Sequence, residues 1–135
     1  MRTDLAGWMA GVLVVLEGVA LVVLAGLQVA AIAGSDTAEI STAIALLVLT
    51  LIGAAAIVAF GVATIRDLSW GRSGGIVAQL LILAVAGGAA TGSYAHPLVG
   101  LGLAVPAFVV LILLVVAARR AAKRKGSPPS GEPSR

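Results

Sequence analysis

Residues 13–30 read "LVVLEGVALVVLAGLQVA". Every residue of this stretch is apolar or glycine except Glu17 and Gln28. No polar face recurs at helical spacing, so it does not read as the surface helix of a soluble domain. A membrane-crossing helix needs ~20 mostly apolar residues. The apolar run around this stretch extends from about Trp8 to Ala33. It reads as a membrane span with a carboxyl near its middle.

The whole chain has the same character. Of its 135 residues, 60% are hydrophobic and only 11% charged, with a mean hydropathy of +1.12. Soluble domains are about half apolar and a quarter charged. Three further spans follow, at about 40–65, 75–94 and 98–118. The connections "GSDTAE", "RDLSWGRSG" and "YAHP" are short, and short loops make successive helices antiparallel neighbours. Lipid cannot satisfy backbone polar groups, so spans of this kind are helical. The expected fold is an all-α, antiparallel four-transmembrane-helix bundle. "AIAG" at Ala31–Gly34 resembles a signal-peptidase site, but a signal peptide has an apolar region of ~7–15 residues. The first span exceeds that length and holds Glu17, so it is expected to stay in the protein.

Lysine and arginine set the expected orientation. Arg2 precedes the first span, and Arg66 and Arg72 lie between the second and third. The remainder, Arg119, Arg120, Lys123, Arg124, Lys125 and Arg135, follow the fourth. All nine fall on one side, so both termini are expected in the cytoplasm. Trp8 and Trp70 then sit at the cytoplasmic interface and Tyr94 at the outer one, as belt residues. Arg66 is placed to snorkel. The tail, residues 119–135, is basic to Lys125 and then rich in Gly, Ser and Pro. It is expected to be disordered, with its basic cluster drawn to anionic lipid headgroups. The pI of about 10.2 therefore points to a membrane surface and not to nucleic acid.

Lipid tails are as apolar as leucine, so helices in a bilayer associate through small residues that allow close approach. Gly7, Gly11, Gly18 and Ala25 lie within about 40° of one another on the first span, at 100° per residue. Gly53, Ala55, Ala59 and Ala63 form a second set of small residues, and Ala84, Gly88 and Gly92 a third. Each is expected to form a packing seam. Pro97 begins the fourth span, where its missing N–H is harmless, while Pro106 lies inside it and is expected to disturb the helix near Gly102.

Glu17 lies ~14 Å into its span, near the midplane. An acidic residue there costs ~2.5–3.5 kcal/mol on insertion scales and faces the bundle interior. Gln28 is about 20° away in helical phase and shares its stripe. Gln79 enters from the same side at similar depth and is the expected partner of Glu17, while Gln28 is expected level with Thr91 and Ser93 near the outer end of the third span, with Thr50 of the second span as a further candidate. Glu17, Gln28 and Gln79 therefore make the candidate intramembrane polar cluster. It serves packing, docking of a membrane partner, or proton or cation coupling. No catalytic set, phosphate-binding loop or metal motif accompanies it. The single His96 and the absence of cysteine leave no expected metal site or cofactor, and no enzyme is expected.

Three short motifs, Leu16-Glu17-Gly18, Trp70-Gly71-Arg72-Ser73 and Gln79-Leu80-Leu81, resemble those of small four-span actinobacterial membrane proteins of unassigned activity. The resemblance is best over the last two spans. It implies a multi-pass protein of a bacterial inner membrane and singles out Glu17 and Gln79. Small multidrug transporters also have four spans and an essential glutamate in the first. They surround that glutamate with aromatics, whereas aromatics are 4% of this chain. Aligning Glu17 with Gln79 also brings Gly26 onto Gly88, as two parallel half-repeats would. The expected role is a non-enzymatic subunit that associates with itself or another membrane protein. The alternative is a small proton-coupled transporter using Glu17.

Overall fold

The computed structural model describes residues 5–34, 39–92 and 96–126. Arg2, Ser93, Tyr94, Arg135 and the Gly/Ser/Pro part of the tail lie outside them. The described chain forms four helices, α1 (Leu5–Ala33), α2 (Ile40–Ile65), α3 (Ser69–Thr91) and α4 (Pro97–Lys125), each long and apolar enough to cross a membrane. Their apolar side chains face outward. Only 6% of the most apolar window of α2 is buried within the protein. Water would not tolerate such a surface, and hydrocarbon does.

The helices contact one another in the cycle α1–α2–α3–α4–α1, most extensively in the pairs α1–α2 and α3–α4. The first pair meets backbone to backbone. A β-carbon on Gly11 would lie 2.9 Å from the Gly61 carbonyl oxygen, and one on Gly61 would lie 2.9 Å from the Gly11 carbonyl oxygen. Further along, Gly18 faces Val58 and Ala54. In the second pair Gly100 abuts the Ala86 carbonyl and Ala90. The two pairs join around Ala10, Val14, Val110 and Leu114, which form the buried core with Ile57, Phe60 and Ile76 packed against it. Leu114 fits against Gly75. This core gathers the first halves of α1 and α3 and the second halves of α2 and α4.

Two boundaries differ from the sequence expectation. Helix α3 starts at Ser69, six residues before the expected start at 75, because the chain reverses within residues 66–68. Leu68 N–H donates to Ala63 O and Asp67 N–H to Thr64 O, the double bond pattern that closes a helix C-terminus. Asp67 takes the left-handed conformation, φ 60°, and its carboxylate receives the Arg72 guanidinium at 2.5 Å. Gly71 then lies flat on Ala63 and Thr64, where a β-carbon would be 2.5 Å from the Ala63 methyl.

The second difference is at the other end of the chain. Helix α4 continues through the basic cluster to Lys125, so Arg119–Lys125 is helical and not a disordered tail. Alanine, lysine and arginine are strong helix formers, and cations in the last turn suit the helix dipole. Helix α4 also runs uninterrupted past Pro106; the space around Gly102, four residues earlier, is open.

The seams also divide. Gly11, Gly18 and Ala25 are buried on α1. On α2 the packed residues are Ala54, Gly61, Ala63 and Thr64; of the expected set Ala63 is buried, while Ala55 and Ala59 are exposed and Gly53 has nothing within contact range. On α3 the expected seam turns outward: Ala84, Gly88 and Gly92 are exposed, Gly88 has nothing within contact range, and Gly92 caps its own helix through Gly88 O. Small residues permit close approach but do not choose a partner, and α3 turns Ala86 to α4 instead. Gly11→Ala should therefore destabilise the protein by ~1–3 kcal/mol, the usual cost of overpacking. Gly88→Ala should be neutral or stabilising by up to ~1 kcal/mol, since it replaces a helical glycine in open space. Thermal unfolding of both variants in detergent checks the contrast.

Candidate functional site

Glu17 projects from α1 beside the packed Gly18 and is half-buried. Its Oε2 accepts a hydrogen bond from Gln79 Nε2 of α3 at 2.5 Å. Gln79 is fully buried, next to Ala78 and one turn beyond Gly75. The pair brings together two residues that lie 62 positions apart in sequence. They are also the two residues that the internal alignment equates.

Gln28 does not join them. Eleven residues of helix carry it ~16 Å along α1, out of reach of Glu17 and Gln79. There its Nε2 donates to Thr50 Oγ1 of α2 at 3.2 Å, and the Thr50 hydroxyl donates to Leu46 O at 2.8 Å. The stripe of two polar residues thus becomes two separate links, α1 to α3 and α1 to α2. Thr91 bonds the Gly87 carbonyl of its own helix. In both links the amide nitrogen is used while Gln28 Oε1 and Gln79 Oε1 are buried without a hydrogen-bond partner. A buried acceptor left unpaired costs ~1–3 kcal/mol, so both amides keep unspent capacity for a donor.

The basic residues Arg119, Arg120, Lys123, Arg124 and Lys125 are all exposed on the last turns of α4. Helix α4 has 29 residues and is ~43 Å long, against a hydrocarbon core of ~30 Å. Its end therefore extends past an apolar slab and can carry the cations into the headgroup layer. The Asp67–Arg72 ion pair is a site residue pair that sequence reading passed over. Opposite charges five apart across a turn were the available signal. Arg72 is only 8% exposed, so it is held in the fold and does not act as a surface charge. Among the described residues no group of three or more His, Asp or Glu is placed to hold a metal ion.

Comparison with protein-family models, with curated proteins and with solved structures finds no match.

The Glu17–Gln79 bond should show as a coupling in a double-mutant cycle. Gln79→Leu and Glu17→Leu should together cost less than the sum of the single changes, by about 0.6 kcal/mol and at most ~1.7 kcal/mol, the average and the upper limit for side-chain hydrogen bonds inside membranes. Unfolding in detergent–denaturant mixtures reads that difference, and strict additivity would contradict the bond.

Proposed function

We propose that this chain is a non-enzymatic subunit of a bacterial plasma membrane, an antiparallel four-span bundle with both termini in the cytoplasm, which works by associating with itself or with a larger membrane protein. Several observations support the topology. Contacts run in opposite directions, with Gly11 against Gly61 and Gly18 against Val58 and Ala54. All the lysines and arginines fall on one side of the spans. The motif resemblance supports the bacterial location. The basic end of α4 then contacts anionic headgroups, each basic residue contributing ~1 kcal/mol.

One observation carries the association. Ala84, Gly88 and Gly92 recur at intervals of four along the exposed side of α3, and Gly87 and Gly88 have open space where side chains would be. Gly11, Gly18, Gly61 and Gly71 all meet a neighbour closely. In a membrane such a small-residue face is the usual ground for helix association. Cross-linking and pull-down from native membranes should capture a defined species with the natural sequence and lose it with Gly88→Leu. Glu17→Gln should leave that species intact if Glu17 only packs, and abolish it if the carboxyl docks the partner. A chain that stays alone in both cases contradicts the proposal.

A second reading rests on the Glu17–Gln79 pair. An intramembrane carboxyl beside an amide oxygen with no donor is chemically suited to bind and release a proton. Proton-coupled flux in liposomes that is abolished by Glu17→Gln would favour a small transporter.

A further inference from the structure

The turn between α2 and α3 carries two arginines with different surroundings. Arg72 is buried and paired with Asp67. Arg66 is exposed and has no ion pair or side-chain hydrogen bond among the described residues. It borders an open groove of about 600 Å³ along α2, whose lining includes Val22, Ala55, Ala59 and Leu68. Trp70 stands at the same end of the groove as Arg66. Its ring meets Phe60 edge-on, with centroids 6.0 Å apart and planes at 69°. Phe60 in turn fills the space that a β-carbon on Gly74 would need. The indole packs on the Phe60 ring while staying 52% exposed, with its N–H making no hydrogen bond among the described residues.

We propose that this groove is a binding site for a single anionic phospholipid. An acyl chain lies along the groove, and the phosphate meets the Arg66 guanidinium and the Trp70 N–H. Guanidinium groups bind phosphate in a fork of parallel hydrogen bonds, and tryptophan belongs at headgroup level with its ring in the apolar layer. From Leu51 to Arg66 the groove follows ~22 Å of helix, enough for a chain crossing one leaflet of a ~30 Å core. A protein helix in the same groove would leave the arginine facing apolar side chains. A zwitterionic lipid would offer it no net charge. The groove runs along α2 and is bordered by Val22 of α1 and Trp70 at the start of α3; it does not include Ala84, Gly88 or Gly92 of the association face.

Native mass spectrometry of the detergent-solubilised full chain tests this, with phosphatidylglycerol and phosphatidylcholine of identical acyl chains as probes. The natural sequence should retain phosphatidylglycerol with about fivefold preference, the ratio that one well-placed basic residue gives. Arg66→Gln should bring that ratio near one. Ala59→Phe, at an exposed position, should block the groove and lower retention of both lipids. The double change Arg119→Gln and Arg120→Gln should leave the preference in place. An unchanged preference in Arg66→Gln, undiminished retention in Ala59→Phe, or a preference that disappears only with the α4 arginines would overturn the proposal. So would a dimer of the natural chain that Ala59→Phe dissociates, since the groove would then hold a second copy.

Discussion

The contact between the backbones of α1 and α2 at Gly11 and Gly61 is the constraint on which the rest of the structure depends. Burying leucine against leucine gains little when lipid is the solvent, so attraction must come from close packing of main chain on main chain. Each glycine sits where a β-carbon would strike the other's carbonyl. Once these helices are locked at this distance, Ala10 and Val14 of α1 face the interior. Ala63 and Thr64 of α2 then receive Gly71 of α3. The turn at Arg66–Leu68 and the Asp67–Arg72 pair hold α3 against that surface. Leu114 of α4 closes the core over Gly75. The order of assembly in space thus passes from glycine to glycine.

Against this apolar scaffold the Glu17–Gln79 pair is anomalous in energy. A carboxyl near the bilayer centre costs ~2.5–3.5 kcal/mol to insert. A side-chain hydrogen bond in that environment returns only about 0.6 kcal/mol on average and at most ~1.7 kcal/mol. The balance is unfavourable before the unpaired Gln79 oxygen is counted. The hydrogen bond thus offsets only part of the insertion cost. What it does supply is a directional link between α1 and α3, which small-residue packing alone cannot specify. Buried polar groups that specify one arrangement at a cost in stability have precedent in coiled coils.

The four apolar helices were legible in the sequence because bilayer thickness sets a length that can be counted in residues. So was the placing of Gly11, Gly18 and Ala25 on one face of α1, since helical phase is fixed by residue number. Depth alone pointed to Gln79 as the partner for Glu17. What depends on which neighbour is present was not legible. Gly88 and Gly92 have the same spacing as a packed seam, yet they face outward because α4 meets α3 through Ala86 and Ala90. Ala55 and Ala59 likewise ended outside. The early start of α3 at Ser69 was hidden because its "SWGRSGG" opening is rich in glycine and serine, poor helix formers that tertiary contacts with Ala63 and Leu114 override.

By itself, then, the sequence determined that the described residues form four long apolar helices and their approximate lengths. Both follow from local composition measured against a slab of fixed thickness. The tertiary structure decided which small residues touch, that Gln28 turns to Thr50 while Glu17 turns to Gln79, and that Arg66 borders a groove while Arg72 is sealed in an ion pair. These are decided in three dimensions because a helix that is apolar all round presents no polar face for lipid to turn toward water. Its rotation is set by the fit of one particular backbone against another.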